Sequence, residues 1–213
     1  MNENALGTDL AGRFQPGQSF VEEFHRRTAR WSASITVHAG DLQEESWDPS
    51  APIEFLFNDA GKSWELVGST ARTFYPALIP GRSIVVEQDF AHYYTPWVHL
   101  LRYRFRDYFE PVLHVRFSAS AVFRCIASPP TDLLASPFSV ASFSEPEVEA
   151  AFADSFRLTS PEMRANVAAA RVMLHLHAGD LDRASAVHHR LLAAGFRGRD
   201  MIRVGGQLRQ ARD

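Results

Sequence analysis

One cysteine, Cys125, is all that the 213-residue chain contains. No intramolecular disulfide can form, and Cys125 lies in an apolar, strand-like run that makes it a small buried hydrophobe rather than a nucleophile. No apolar run approaches the ~20 residues of a membrane span. Met1 to Leu10 has neither the basic start nor the apolar stretch of a secretory signal. The formal charge is only -3, so no cationic footprint calls for nucleic acid or anionic lipid. No G-x-G occurs anywhere in the sequence. What remains, 46% hydrophobic and 22% charged residues, suits a soluble, cytoplasmic protein with no nucleic-acid or membrane partner. The length suffices for one domain with an appendage.

Residues 1–18 are polar and read as a tail. Ser19 to Trp31, with Phe20, Phe24 and Trp31, predicts a short helix. Ser34 to His38 predicts a strand ended by Ala39-Gly40-Asp41, and Ile53 to Phe57 a second, ended by Asn58-Asp59-Ala60-Gly61. Ser63 to Leu78 places Trp64, Val67, Ala71, Phe74 and Leu78 on one helical stripe. Arg82 to Glu87 predicts the next strand, closed by Gln88-Asp89. Thr95 and Pro96 open another helix as N-cap and first helical residue. Val112 to Phe117 and Ala119 to Ala127 predict a hairpin, and Pro129 and Pro130 end the sheet. From Glu145 the chain reads as helical. The predicted fold class is α/β: a mostly parallel sheet with a late antiparallel strand over 19–130, then a helical extension over 131–213.

Ligands of open parallel sheets bind at the carboxyl ends of the strands. Asp41, Asp59 and Asp89 end three successive predicted strands, where they are either a carboxylate rim or turn residues. Lys62, three residues after Asp59, is either a general base or a surface ion-pair partner. Two carboxylates from adjacent strand ends can hold Mg²⁺ with water completing the shell, and Asn58, Gln88 or His92 could add a third group.

The stretches P-I-E-F-L-F-N-D-A-G-K-S-W-E-L (52–66) and F-Y-P-A-L-I-P-G-R-S-I-V-V-E-Q-D-F (74–90) resemble the fourth and fifth strands of class I S-adenosylmethionine-dependent methyltransferases. V-H-A-G-D-L (37–42) resembles the third-strand motif, and the likeness covers about Ser19 to Pro130. The Asp59–Lys62 spacing is similar to that of catechol O-methyltransferases; macrolide sugar O-methyltransferases share the broader pattern but lack this lysine. The resemblance implies O-methylation of a small-molecule acceptor. It implies a Rossmann-like partial sheet, cofactor contacts at Asp41, Leu42 and Asp59, a metal on Asp59 and Asp89, and Lys62 as the base. Phe90 stands where the family often carries a further Asp or Asn.

The family's glycine-rich loop and its ribose-binding acid have no counterpart in this sequence. Weak or absent cofactor binding follows as an expectation, whether the chain is an N-terminally truncated enzyme or a decayed one serving as a non-catalytic interaction protein. Without the strands that usually lie beside it, Ile53 to Phe57 forms a hydrophobic edge, to be covered by the Ser34–His38 strand or by a second chain in a homodimer.

The aromatic stretch from Phe90 to Phe109 either walls an acceptor pocket for an aromatic or sugar substrate or packs a helix on the sheet, with Arg102, Arg104 and Arg106 outward. Within it His92, Tyr93 and Tyr94, just past Asp89, are the candidate acceptor-pocket residues. His175, His177, His188 and His189 are not spaced as a metal site. Asn166 to Gly195 is similar to a tetratricopeptide helical hairpin, which must pack on its own domain or on a partner.

Overall fold

The computed structural model describes residues 14, 15 and 17–212. Most of the polar segment 1–18 lies outside the described residues. The chain divides into two compact units, 1–41 and 42–213.

In the first unit, helix α1 (Val21–Thr28) runs into a 3₁₀ turn over Ala29–Ser34. Phe20, Phe24 and Trp31 remain exposed, so the stripe that suggested this helix is not a buried face. The strand expected over Ser34 to His38 is not formed. Ser34 closes the 3₁₀ turn, and Ile35, though extended at φ -123° and ψ 121°, pairs with no strand among the described residues. Alternation of Ile35 and Val37 makes a strand only where a neighbour completes the ladder.

The second unit is built on a four-stranded sheet of β1 (Phe55–Asn58), β2 (Ile84–Glu87), β3 (Phe109–His114) and β4 (Ala121–Cys125), ordered β1-β2-β4-β3. β1 and β2 pair in parallel, Phe55 against Ile84 through Asn58 against Glu87. β4 is antiparallel both to β2 and to β3. The α/β class holds, but the sheet is mixed rather than mostly parallel. A short hairpin delivers β4 beside β3 in the antiparallel sense, and β4 also fills the place next to β2 that a crossover strand would take.

The loop between the hairpin strands holds Phe117 at φ 58°. β1 is an edge strand: Leu56 packs into the core, while Phe55 and Phe57 are 60% and 52% exposed.

Helix α2 (Trp64–Phe74) starts where the Ser63 hydroxyl accepts from the Leu66 N–H. Its buried Val67 and Ala71 join Val85, Phe123 and residues of α3 (Pro96–Arg104) in one apolar cluster. Thr95 stands at the start of α3, but its hydroxyl donates backward, to the carbonyls of Asp89 and His92, so it locks the loop instead of capping the helix. After the short α4 (Thr131–Ala135), α5 (Glu145–Leu158) opens with a reciprocal Ser144–Glu147 cap. The hairpin of α6 (Arg164–His177) and α7 (Leu181–Ala193), followed by α8 (Arg199–Gln210), forms where expected and packs within its own unit.

Leu100 of α3, Phe152 of α5 and Leu174 of α6 share a second cluster, so the boundary expected between 130 and 131 falls inside one compact unit. Cys125 is buried, and burial pushes its thiol up. Among the described residues no helix is long and apolar enough to cross a membrane.

Candidate functional site

The parallel pair β1–β2 places two loops side by side. The ladder runs one bond past the strands, Gln88 N–H to the Asn58 carbonyl at 3.0 Å, which brings the turn at Asp59 next to the turn at Asp89. Phe90 is 1% exposed and anchors the second turn. The Thr95 hydroxyl, 2.7 Å from the Asp89 carbonyl, closes it.

Lys62 bridges the two turns. Its ammonium lies 2.9 Å from Asp59 Oδ1 and pairs also with Asp89 Oδ2. Asp59 and Lys62 are about half exposed, and Asp89 is mostly buried. The three residues predicted to act together do meet. Lys62 is also the only lysine in the sequence; every other permanent side-chain cation is an arginine.

Asp41 and Leu42 have a different setting from the one expected, because the strand that was to end at them is absent. Asp41 is exposed at the end of the first unit, and Leu42, half-buried, begins the second.

His92, Tyr93 and Tyr94 follow Asp89 directly and diverge. His92 is held neutral-side by burial, with Asp200 raising its pKa and Lys62 and Arg203 lowering it. Its Nδ1 accepts the Tyr94 N–H at 3.3 Å. Tyr93 packs into the cluster of α6, α7 and α8, and the Arg203 guanidinium lies 5.0 Å from its ring. Tyr94 stays at the surface, edge-on to His177 at 4.7 Å. Sequence reasoning missed that His177, Asp200 and Arg203 of the C-terminal helices approach this loop; no local pattern links residues so far apart.

A buried polar network underlies the rim and was also missed. Asn58 Nδ2 donates to Glu87 Oε2 at 2.7 Å, and Asn58 Oδ1 accepts the Ala60 N–H at 3.1 Å. Glu87 Oε1 pairs with Arg102, which also donates to the Tyr75 hydroxyl. Burial pushes the Tyr75 hydroxyl upward. Arg102 was expected to point outward; instead it is 6% exposed, because Glu87 supplies its counter-charge inside the core. Arg104 is half-buried over the Phe143 ring, and Arg106 alone of the three is exposed. A glutamate closing the apolar run I-V-V-E was the visible signal for this network.

The rim does not fit a resident Mg²⁺. Among the described residues no three His, Cys, Asp or Glu side chains converge, and the Lys62 ammonium occupies the place between the two carboxylates. Nor does the glycine of the first turn offer a cofactor cradle. A Cβ at Gly61 would meet Val67 Cγ1 at 3.3 Å and Val98 Cγ2 at 3.5 Å, so its bare face is filled by helices α2 and α3. The Gly61 carbonyl is taken as well, by the Trp97 indole N–H at 2.7 Å.

Compared with known protein families, curated proteins and solved structures, the chain matches none.

Proposed function

We propose that the chain is an S-adenosylmethionine-dependent methyltransferase-like protein that keeps the acceptor side of the site and binds a small hydroxylated molecule at the Asp59–Lys62–Asp89 rim. The observation that carries this reading is the meeting of Lys62 with both carboxylates at the carboxyl ends of adjacent parallel strands. The order β1-β2-β4-β3, with the late strand β4 running against its neighbours, accords with it.

The chemistry of the rim rests on these three side chains. A hydroxyl that enters donates to the exposed carboxylate of Asp59 and accepts from Lys62, while the more buried Asp89 keeps the ammonium in place. Lys62, paired with both carboxylates, serves as a positioning cation for the acceptor hydroxyl. The cofactor, when bound, supplies an activated methyl group.

A single lysine gives a direct test. Reductive methylation with ¹³C-formaldehyde retains the charge and leaves one side-chain signal, from Lys62, beside that of the terminal amine. Catechol and S-adenosylhomocysteine should each move the Lys62 signal at millimolar concentration, and Asp89→Asn should weaken the response. A Lys62 signal indifferent to both ligands overturns the reading.

The second reading, a non-catalytic interaction protein, is favoured by one observation: the uncovered phenylalanines of β1. It predicts self-association without any response at Lys62.

A further inference from the structure

A second cationic feature lies in the C-terminal helices, in an open groove of about 410 Å³ between α7 and α8. Ser185, His188 and His189 of α7 line it opposite Gly205, Leu208 and Arg209 of α8. Each set recurs at i, i+3 and i+4, so each occupies one side of its helix. Among the described residues no carboxylate lines the groove.

The polar groups here are within reach of solvent and are not committed to the fold. Arg209 and His189 are exposed, and Ser185 and His188 are half-buried. Arg183 and Arg190 of α7, Arg203 of α8 and the following Arg212 are each ion-paired. Arg209, by contrast, meets no carboxylate among the described residues, and neither the Ser185 hydroxyl nor the His189 ring makes a hydrogen bond there.

Gly205 lets the two walls meet. A Cβ there would stand 2.9 Å from His188 Cε1 and 3.8 Å from Arg209 Nη1, so an imidazole and a guanidinium share one bare α-carbon. A Cβ at Gly206 would lie 3.9 Å from Arg209 Nη2, which lays the guanidinium along both glycines. Glycine weakens a helix interior, and at Gly205 that weakening accompanies the close approach. His188 Nε2 stands 3.1 Å from the Met201 carbonyl. A carbonyl only accepts, so Nε2 carries hydrogen and the ring is fixed on the groove wall. An anion beside the two imidazoles favours their charged, donating form. Donors then come from both walls, more than the two oxygens of a carboxylate use and suited to the several oxygens of a phosphate.

We infer that the groove between α7 and α8 binds a phosphate group, held by the Arg209 guanidinium on one wall and by Ser185, His188 and His189 on the other. The phosphate is either the free ion or the head of an ester. Leu192, one turn beyond His188 and His189, adds apolar surface on which the carbon body of an ester can lie. The inference uses none of Asp59, Lys62 or Asp89 and stands apart from the methyltransferase-like reading.

The test is an NMR titration of the full chain, with ¹⁵N-labelled imidazoles, near pH ~6, where ordinary imidazoles are largely charged. Inorganic phosphate should move the His188 and His189 signals and saturate in the millimolar range, whereas chloride at matched ionic strength should not. Arg209→Met should weaken binding about tenfold, one charge-assisted hydrogen bond's worth. Gly205→Ala, whose methyl displaces the His188 ring, should weaken it too. Ser185→Ala should lower affinity severalfold even if Gly205→Ala fails to fold. Phenyl phosphate binding more tightly than inorganic phosphate assigns the groove to an ester, and equal affinity assigns it to the free ion. Lys62→Met should leave both titrations unchanged. Shifts no larger than those with chloride (an adventitious ion only), full affinity in Arg209→Met, or loss of binding in Lys62→Met overturns the inference.

Discussion

The Glu87 carboxylate and the Arg102 guanidinium pair beneath the ends of the parallel strands, with side chains only 2% and 5% exposed. Removing one partner leaves an uncompensated charge in the core. Arg102→Met should cost about 3–5 kcal/mol of stability, measured by urea denaturation. Changing Glu87→Gln in the same chain should recover part of that loss, since the two sites are coupled. A single-variant loss under ~1 kcal/mol, the range of exposed pairs, would show that the pair does not hold the core together.

Lys62 stands at the opposite extreme. It bridges two carboxylates, yet it and Asp59 are about half exposed, and solvent-exposed pairs contribute about 0–1 kcal/mol. Lys62→Met should therefore leave the melting transition nearly unchanged while abolishing the response to hydroxylated ligands at the rim. A large drop in stability would reassign Lys62 to structure.

Acid sensitivity follows from His99. Its folded-state pKa is depressed from 6.5 to about 3 by burial, so the unfolded chain takes up a proton first. This contribution to stability is complete above pH ~6.5 and is lost as pH falls toward the folded value, at a rate approaching 1.4 kcal/mol per pH unit. His175, pushed down to about 4 by burial and by Arg171, acts in the same direction. Between pH 7 and pH 5 the urea midpoint should fall, by the equivalent of about 2 kcal/mol for His99 alone. The fall should shrink in His99→Phe. An equal fall in that variant would place the sensitivity elsewhere.

Phe117 carries φ 58° and is 77% exposed. A non-glycine residue in this region costs roughly 1–2 kcal/mol, and little packing offsets it here. Phe117→Asn should raise the melting temperature, because asparagine tolerates this backbone. Calorimetry showing a lower transition would mean that the ring contributes packing after all.

The edge strand predicts behaviour in concentrated solution. Phe55 and Phe57 lie on one uncovered face of β1, and a second copy joined through the same edge gives the closed, two-fold homodimer expected for such a patch. Phe57→Lys should shift sedimentation toward the monomer. No change with concentration in the native chain would dispose of the homodimer.

The order of strands and helices in the second unit could be read from periodicity and punctuation. The stripe Trp64–Val67–Ala71 and the pairing of the last two strands came from local pattern, although the helix expected to run to Leu78 ends at Phe74, where Pro76 starts a 3₁₀ turn. The Asp59–Lys62–Asp89 cluster was legible for the same reason: parallel neighbours bring successive strand ends together. What stayed hidden depended on partners remote in sequence. Ile35 and Val37 alternate like a strand but join no sheet among the described residues, and Arg102 looks like a surface residue until Glu87 is brought beneath it. The buried His99–Ser155 contact was equally hidden, since Ser155 lies 56 residues away on another helix.

The placement of β4 between β2 and β3 also orders events in time. β3 leaves the ribosome first, yet its sole partner in the sheet is β4. Until the hairpin has folded back, β3 has no seat, and the sheet consists of the β1–β2 pair alone. Docking β4 must then bring Ala121 to Glu87 across the intervening helix, a closure over many residues of the kind that slows folding. During that interval Phe109 stands unpacked, so a nascent chain arrested just before residue 121 is the form most in need of a chaperone.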